Sequence, residues 1–498
     1  MTRSGADYLA SLRDRRNVYL DGERVEDVTT HPAFAAAVQA IAALYDFAHA
    51  PANRELMTYP SERDGRPVNK AWLVPRTRED LAARRRAIKA WADLSYGLLG
   101  RSPDHVASFF AGFAGSLPFF ARGGQQFADN LARFYAKAAD EDLYLSYAIV
   151  QPVIDRSKPA HQQAEPYLYA GVVEERDGGI IVRGAQMLAT GGVMSDWCYI
   201  SVILPLPPGD EDYALSLVVP LDAPGLKLYV RRPYARTASS VFDYPLSSRF
   251  DETDALVVLD DVFVPWEHVF VYRNRELCAG QFSVTAAHVI GNTQAHIRSW
   301  AKLQFLVGLV RRTCEANGQL AKPEVVAQLG DLATRVSLVE GLVLAAEAAA
   351  EPDEFGVMRP KDALVYASQV YQQQMYPELL TAIRAMLGGS VIQLPSSAAD
   401  LLSPATRPDL ERYVRWPRAT AVERVKLLKL LWDLLGSEFA ARHLQYEMFY
   451  AGEPNAIRGR EYRTFDWAAA EALVERCLRS YDLDTVAAST RPPTPLPA

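Results

Sequence analysis

The chain has 498 residues, 49% hydrophobic and 23% charged, with 53 basic against 60 acidic residues and a formal net charge of −7. That composition excludes collagen-like, disordered and disulfide-stapled chains, and the acidic balance gives no electrostatic reason to bind nucleic acid or an anionic membrane. At roughly 150 residues per domain the length suggests about three domains.

The opening Met1 to Arg16 is polar and charged, without the apolar stretch of a secretory signal. No run approaches a membrane-spanning length, so a protein of the cytoplasm is expected, neither exported nor membrane-bound. Four scattered cysteines (Cys198, Cys278, Cys314, Cys477) form no CxxC pair and read as reduced thiols of such a compartment.

From Pro32 to about Lys137 apolar residues recur at three- and four-residue spacing, in Phe34 to His49, Thr77 to Tyr96 and Gln126 to Ala139, which predicts helices. Near Tyr144 the character changes. Short runs rich in β-branched and aromatic residues follow: Ile180 to Arg183, Trp197 to Leu204, Ala214 to Val219, Leu226 to Val230 and Ala255 to Val264. Turn signals such as Asp177-Gly178-Gly179 and Ala223-Pro224-Gly225 separate them, which predicts an antiparallel β-domain. After about Gly280 the helical period returns. Val325, Val326, Leu329, Leu332, Val336, Val339 and Val343 form a stripe near the 3.6-residue period, and Ala421 to Tyr450 continues it. The tail, Ser489 to Ala498, holds four prolines and is expected to be a mobile or docked extension.

Several chemistries have no footing. There is no GxGxxG after a strand, no GxxxxGK[ST], no HExxH and no GxSxG, and the eight histidines are too dispersed for a local metal site. An enzyme of this sequence assembles its site from distant segments or borrows an organic cofactor.

Four stretches concentrate polar and aromatic residues. In Gly100-Arg101-Ser102-Pro103-Asp104-His105 one helix ends and another begins, and Arg101 either presents its fork of donors to an anion or serves as a capping or salt-bridging residue. Asp142 to Ser157 is a half-buried strand entering a proline-containing loop. Gly184 to Gly192 runs into small residues that permit close approach of a ligand, with Thr190 offering a hydroxyl, though a simple β-turn accounts for them equally. In Ala441 to Gly452, Arg442, Gln445 and Phe449 share a helical face, which for the first two also suits a solvated arc.

In this order and at these separations the four resemble the 4-hydroxyphenylacetate 3-monooxygenase large (oxygenase) component family, two-component phenol hydroxylases dependent on reduced FAD. Asp14-Arg15-Arg16-Asn17-Val18-Tyr19, Asp261 to Trp266, Asn292 to Arg298 and Leu394-Pro395-Ser396-Ser397 add to the resemblance, which covers nearly the whole chain.

The resemblance implies an α+β, acyl-CoA-dehydrogenase-like fold: a helical N-terminal domain (1–141), a middle antiparallel β-barrel (142–275) and a C-terminal helical bundle with the proline-rich tail (276–498). It also implies a homotetramer, FAD taken up as FADH2 from a separate NAD(P)H-flavin reductase, and O2 as co-substrate. The reaction implied is ortho-hydroxylation of a phenol to a catechol through a C4a-hydroperoxyflavin. Arg101 falls at the family's phenol-binding arginine. Members usually carry a tyrosine four residues later and a histidine on the strand before the flavin loop, whereas here the two types are exchanged, as His105 and Tyr147. His105 is then expected as acid/base and Tyr147 as its hydrogen-bond partner. For FAD the resemblance points to Val153, Asp155, Arg156, Thr190, Tyr450, Ala451 and Gly452, with Arg156 and Arg442 as candidates for pyrophosphate or structural charge pairing. Phe109 to Phe113 is a candidate pocket wall and Pro205 to Asp212 a candidate lid. Competing readings are an acyl-CoA dehydrogenase or dehydratase on the same fold, and a catalytically silent flavin-binding homologue.

Overall fold

The computed structural model describes residues Thr2–Tyr481, and the proline-rich tail lies outside them. The expected helices form where sequence caps them. Thr77 and Asp80 close a reciprocal box, each side chain accepting the other's backbone N–H, and launch the helix Arg78–Leu94. Pro103 opens the helix Pro103–Gly115 at its first turn, where a missing N–H costs nothing. The helix Gln125–Glu141 ends with Asp142 in the left-handed region.

The helix Ala287–Ala316 is buried on every side from Ala287 to Leu303 and runs through the centre of the molecule; its polar residues His288, Gln294, Arg298 and Lys302 find hydrogen-bond partners there. Pro103–Gly115, Arg78–Leu94 and Pro323–Ala348 pack around it. The stripe expected on Pro323–Ala348 faces inward at Val325, Leu332, Val336, Val339 and Val343, while Val326 is exposed. The single long helical run expected over Ala421 to Tyr450 is two helices, Ala421–Leu435 and Glu438–Phe449. Gly436 and Ser437 break it, because the Ser437 side chain accepts the Ala440 N–H and starts a new helix.

The strands make two main sheets. One has six strands in the order Glu23–Val25, Asn17–Leu20, Leu226–Val230, Ala255–Pro265, Gly179–Gln186, Gly171–Arg176, and the other has four: Val269–Tyr272, Leu215–Pro220, Trp197–Ser201, Leu145–Ala148. Neither sheet closes on itself among the described residues, so the expected antiparallel barrel is two open, mixed sheets. Two pairings are parallel, Asn17–Leu20 with Leu226–Val230 and Leu145–Ala148 with Trp197–Ser201. The reason is topological: a hairpin from the first 25 residues adds to the edge of a sheet built some 200 residues later, which covers an edge instead of closing a ring.

This framework sets the site. Pro103–Gly115 lies between the central helix and the edge strand Leu145–Ala148, so side chains from three segments distant in sequence converge around its first turn. No helix among the described residues is long and apolar enough to cross a membrane.

Candidate functional site

Arg101 is clamped by its backbone. Its N–H donates to Glu252 Oε1 at 2.7 Å, and its carbonyl accepts the Tyr144 hydroxyl at 2.6 Å. Two glycines make room: a Cβ at Gly100 would run into the Tyr446 hydroxyl, and one at Gly191, where φ is +74°, would strike the Tyr144 hydroxyl. The side chain is buried, 8% exposed, with its guanidinium over the rings of Tyr147 (5.3 Å) and Tyr446 (5.2 Å). Burial opposes its charge, but Tyr147, Tyr446 and Glu252 more than offset that and keep it a cation. Nη2 donates to the Tyr450 carbonyl at 3.1 Å. Nη1 is buried and has no partner. An orphaned buried donor of this kind costs roughly 1–3 kcal/mol unless a ligand meets it.

One turn on, His105 Nε2 lies 3.4 Å from the Tyr147 hydroxyl, and Nδ1 lies 2.8 Å from Gln294 Oε1. The exchanged pair therefore meets, beside Arg101. Burial and then the Arg101 charge hold the imidazole well below its ordinary range, so it is neutral. Phe109 stands edge-on to both rings, 5.3 Å from His105 and 5.8 Å from Tyr147, and Phe282 backs it at 6.3 Å. Phe110 and Phe113 belong to the packed core behind this wall.

The segments expected to hold flavin come together in part. The Met187 N–H donates to the Val150 carbonyl at 2.9 Å, which joins the loop after Pro152 to the Gly-rich turn. Around that junction Val153, Ile154 and Leu188 are each about half exposed (52%, 50% and 51%), and Gln151 Nε2 is buried without a partner. Apolar side chains left in the open beside an unpartnered donor fit a flat heteroaromatic ring such as flavin. Asp155 closes a local turn by accepting the Ser157 N–H and hydroxyl, and Arg156 is exposed; neither side chain bonds to Arg101, His105 or Tyr147. The Thr190 hydroxyl donates to Asp254 at 2.6 Å. Arg442 takes the charge-pairing alternative, bridging Asp254 at 2.7 Å and Glu252 at 3.1 Å. Tyr450 and Ala451 present their carbonyls to Arg101 and Arg460, and Gly452, at φ +112°, accepts from Gln373.

Several members of this site were not assigned from sequence. Glu252 and Asp254 tie Arg101, Thr190 and Arg442 together; two acids at positions i and i+2 before a strand point the same way, a signal available in Phe250 to Asp254. Beneath Tyr446, Glu447 takes both arms of Arg298 (2.5 and 2.9 Å) and Lys302 Nζ (2.9 Å), all buried. Burial pushes Glu447 up, but the two cations hold it at about 2, while burial brings Lys302 down to about 8. The spacing signal was a pair of four-residue offsets, Arg298 with Lys302 and His443 with Glu447, on two facing helices.

A buried cation with an unpartnered donor beside half-exposed apolar side chains suits the oxygen of an aromatic ligand, and the chain's relatives make its class that of the flavin-dependent aromatic monooxygenases. Comparison with known families gives the particular one. Residues 4–271 match the 4-hydroxyphenylacetate 3-hydroxylase N-terminal model and residues 278–479 its C-terminal model, and the chain belongs to that family. It is 37% identical to the oxygenase component of 4-hydroxyphenylacetate 3-monooxygenase of Pseudomonas aeruginosa, over 96% of this chain and 93% of the relative. It is 38% identical to the oxygenase component of 4-nitrophenol 2-monooxygenase of a Rhodococcus species, over 97% and 93%. A solved oxygenase component of 4-hydroxyphenylacetate 3-monooxygenase, complexed with FAD and 4-hydroxyphenylacetate, superposes with a TM-score of 0.91 at 34% identity, covering 96% of this chain and 98% of that one.

Proposed function

We propose that this protein hydroxylates a para-substituted phenol at the ortho carbon, giving a catechol, with FAD delivered in reduced form by a separate NAD(P)H-flavin reductase. We further propose that it acts as a homotetramer in the cytoplasm. Val153, Asp155, Arg156, Thr190, Tyr450, Ala451 and Gly452 line the flavin in this reading, Arg442 braces the Glu252–Asp254 acids beneath it, and residues 1–141, 142–275 and 276–498 are the three domains. The para substituent is suggested by the substrates that the relatives' names carry, 4-hydroxyphenylacetate and 4-nitrophenol.

The observation that carries the proposal is the unpartnered Arg101 Nη1 beside a neutral imidazole. Hydroxylation needs an electron-rich ring, and a phenolate is far richer than a phenol. Arg101 Nη1 donates to the phenol oxygen and stabilises its negative charge, while His105 Nε2 accepts the departing proton. The Tyr147 hydroxyl, within reach of His105, completes the hydrogen-bonding around that oxygen. FAD in its reduced form, held there, would supply the two electrons by which O2 gives one oxygen atom to the ring and the other to water. Phe109 and Phe282 keep the pocket dry, which favours transfer to the ring over loss of the oxidant as peroxide.

The test is His105→Ala, assayed with reduced FAD, O2 and a panel of phenols. Catechol formation is lost while FAD binding is retained, and reduced flavin is then consumed to peroxide. Full catechol yield from the variant would refute the acid/base role, and peroxide alone from the unaltered protein would favour a silent homologue.

A further inference from the structure

We propose that Gln294 is a positioning residue that fixes His105 in the tautomer carrying its proton on Nδ1, so that Nε2 offers a lone pair to the phenol, and that Asp104 is what orients the Gln294 amide. The inference rests on the reading of His105 as proton acceptor and names what makes it competent.

The donors and acceptors around the Gln294 amide balance in only one way. Gln294 Nε2 lies 3.0 Å from Asp104 Oδ1 and 3.3 Å from Ser102 Oγ. A carboxylate only accepts, so the side of the amide facing Asp104 must be the NH2 group. Ser102 donates its single hydroxyl proton to Asp104 Oδ1 at 2.5 Å and therefore accepts from the amide. Both amide hydrogens are then used, and Gln294 Oε1 is the atom facing His105 Nδ1 at 2.8 Å. The flipped amide would set its oxygen against a carboxylate oxygen and leave the NH2 without its acceptors. An oxygen at 2.8 Å requires a proton on Nδ1. A neutral imidazole has only one, so Nε2 is bare, and its single lone pair accepts the Tyr147 hydroxyl across 3.4 Å until a phenol takes that place and Tyr147 turns its proton to the phenol oxygen.

The surroundings hold both conditions. Asp104 sits in the first turn of Pro103–Gly115, where the helix terminus favours an anion. Burial pushes it up to about 6, which leaves it a carboxylate at neutral pH. The nearby cations, Arg101 and Arg298, disfavour a second proton on His105. All four polar groups, Ser102, Asp104, His105 and Gln294, are buried, so water does not compete for these bonds. The other tautomer would point an N–H at the phenol and could not take its proton.

The test is NMR of 15N-histidine-labelled full-length protein, with the His105 signals identified by their loss in His105→Phe. The unaltered protein should show a protonated Nδ1 and a bare Nε2. Gln294→Met removes the acceptor at nearly the same volume, and Asp104→Asn keeps the shape while allowing either amide orientation. In both variants the proton should redistribute to Nε2, and kcat for catechol formation should fall by roughly tenfold with KM for the phenol nearly unchanged. A proton on Nε2 in the unaltered protein, or a tautomer untouched in both folded variants, overturns the inference. Full hydroxylation by His105→Ala would instead overturn the underlying base assignment, while the NMR result still decides whether Gln294 sets the tautomer.

Discussion

Replacing Arg101 by Met isolates the contribution of one guanidinium. The two backbone clamps, to Glu252 and from Tyr144, involve no side-chain atom of residue 101, so they survive the substitution, and methionine fills most of the space between Tyr147 and Tyr446. What disappears is the bond to the Tyr450 carbonyl and the free Nη1. A hydrogen bond to a charged group contributes roughly 1.5–3 kcal/mol. At about 1.36 kcal/mol per decade of rate, kcat/KM for catechol formation falls roughly ten- to 150-fold. Arg101→Lys falls between, keeping the charge but losing the fork that reaches Tyr450 and the phenol together. The assay is catechol formed per reduced FAD consumed, with peroxide as the uncoupled product. An unchanged kcat/KM in a folded Arg101→Met protein would refute the reasoning.

Glu447→Gln strands Arg298 and Lys302 in the interior and should cost about 3–5 kcal/mol in urea unfolding. The same carboxylate sets an acid limb. Its folded pKa, about 2, lies below its ordinary 4.5, so its contribution is complete above about 4.5 and is lost as pH falls toward 2; in Glu447→Gln that part of the pH dependence disappears. Phe109→Ala opens the wall beside His105 and Tyr147, which should destabilise the fold by about 3–5 kcal/mol and raise the peroxide fraction; unchanged coupling would remove Phe109 from the pocket.

The elements legible in sequence were those whose signal is local. The helix Arg78–Leu94 carries its own capping box and period, and the strand Leu226–Val230 spans the residues its β-branched run predicted. The hairpin Asn17–Val25 is not legible as sheet, because its four- and three-residue strands acquire their order from Leu226–Val230, far along the chain. The open, mixed sheets were hidden for the same reason: alternation marks a strand but not its partner. At the site, Arg101, His105 and Tyr147 were legible through a family pattern, and their contact is now explicit. Gln294, Glu252 and Glu447 were not assigned. Each acts through a partner about 150 to 190 positions away, and nothing within a window of sequence marks a glutamine as the acceptor of a particular imidazole.

The central claim is that Arg101 stabilises an ionised phenol, and 4-nitrophenol reports this directly, since its phenolate absorbs at longer wavelength than the phenol. Titrated while bound to the protein, 4-nitrophenol should ionise at lower pH than in free solution, and Arg101→Met should abolish that shift. Bound 4-nitrophenol that titrates as it does in water, or equally in both proteins, would contradict the account.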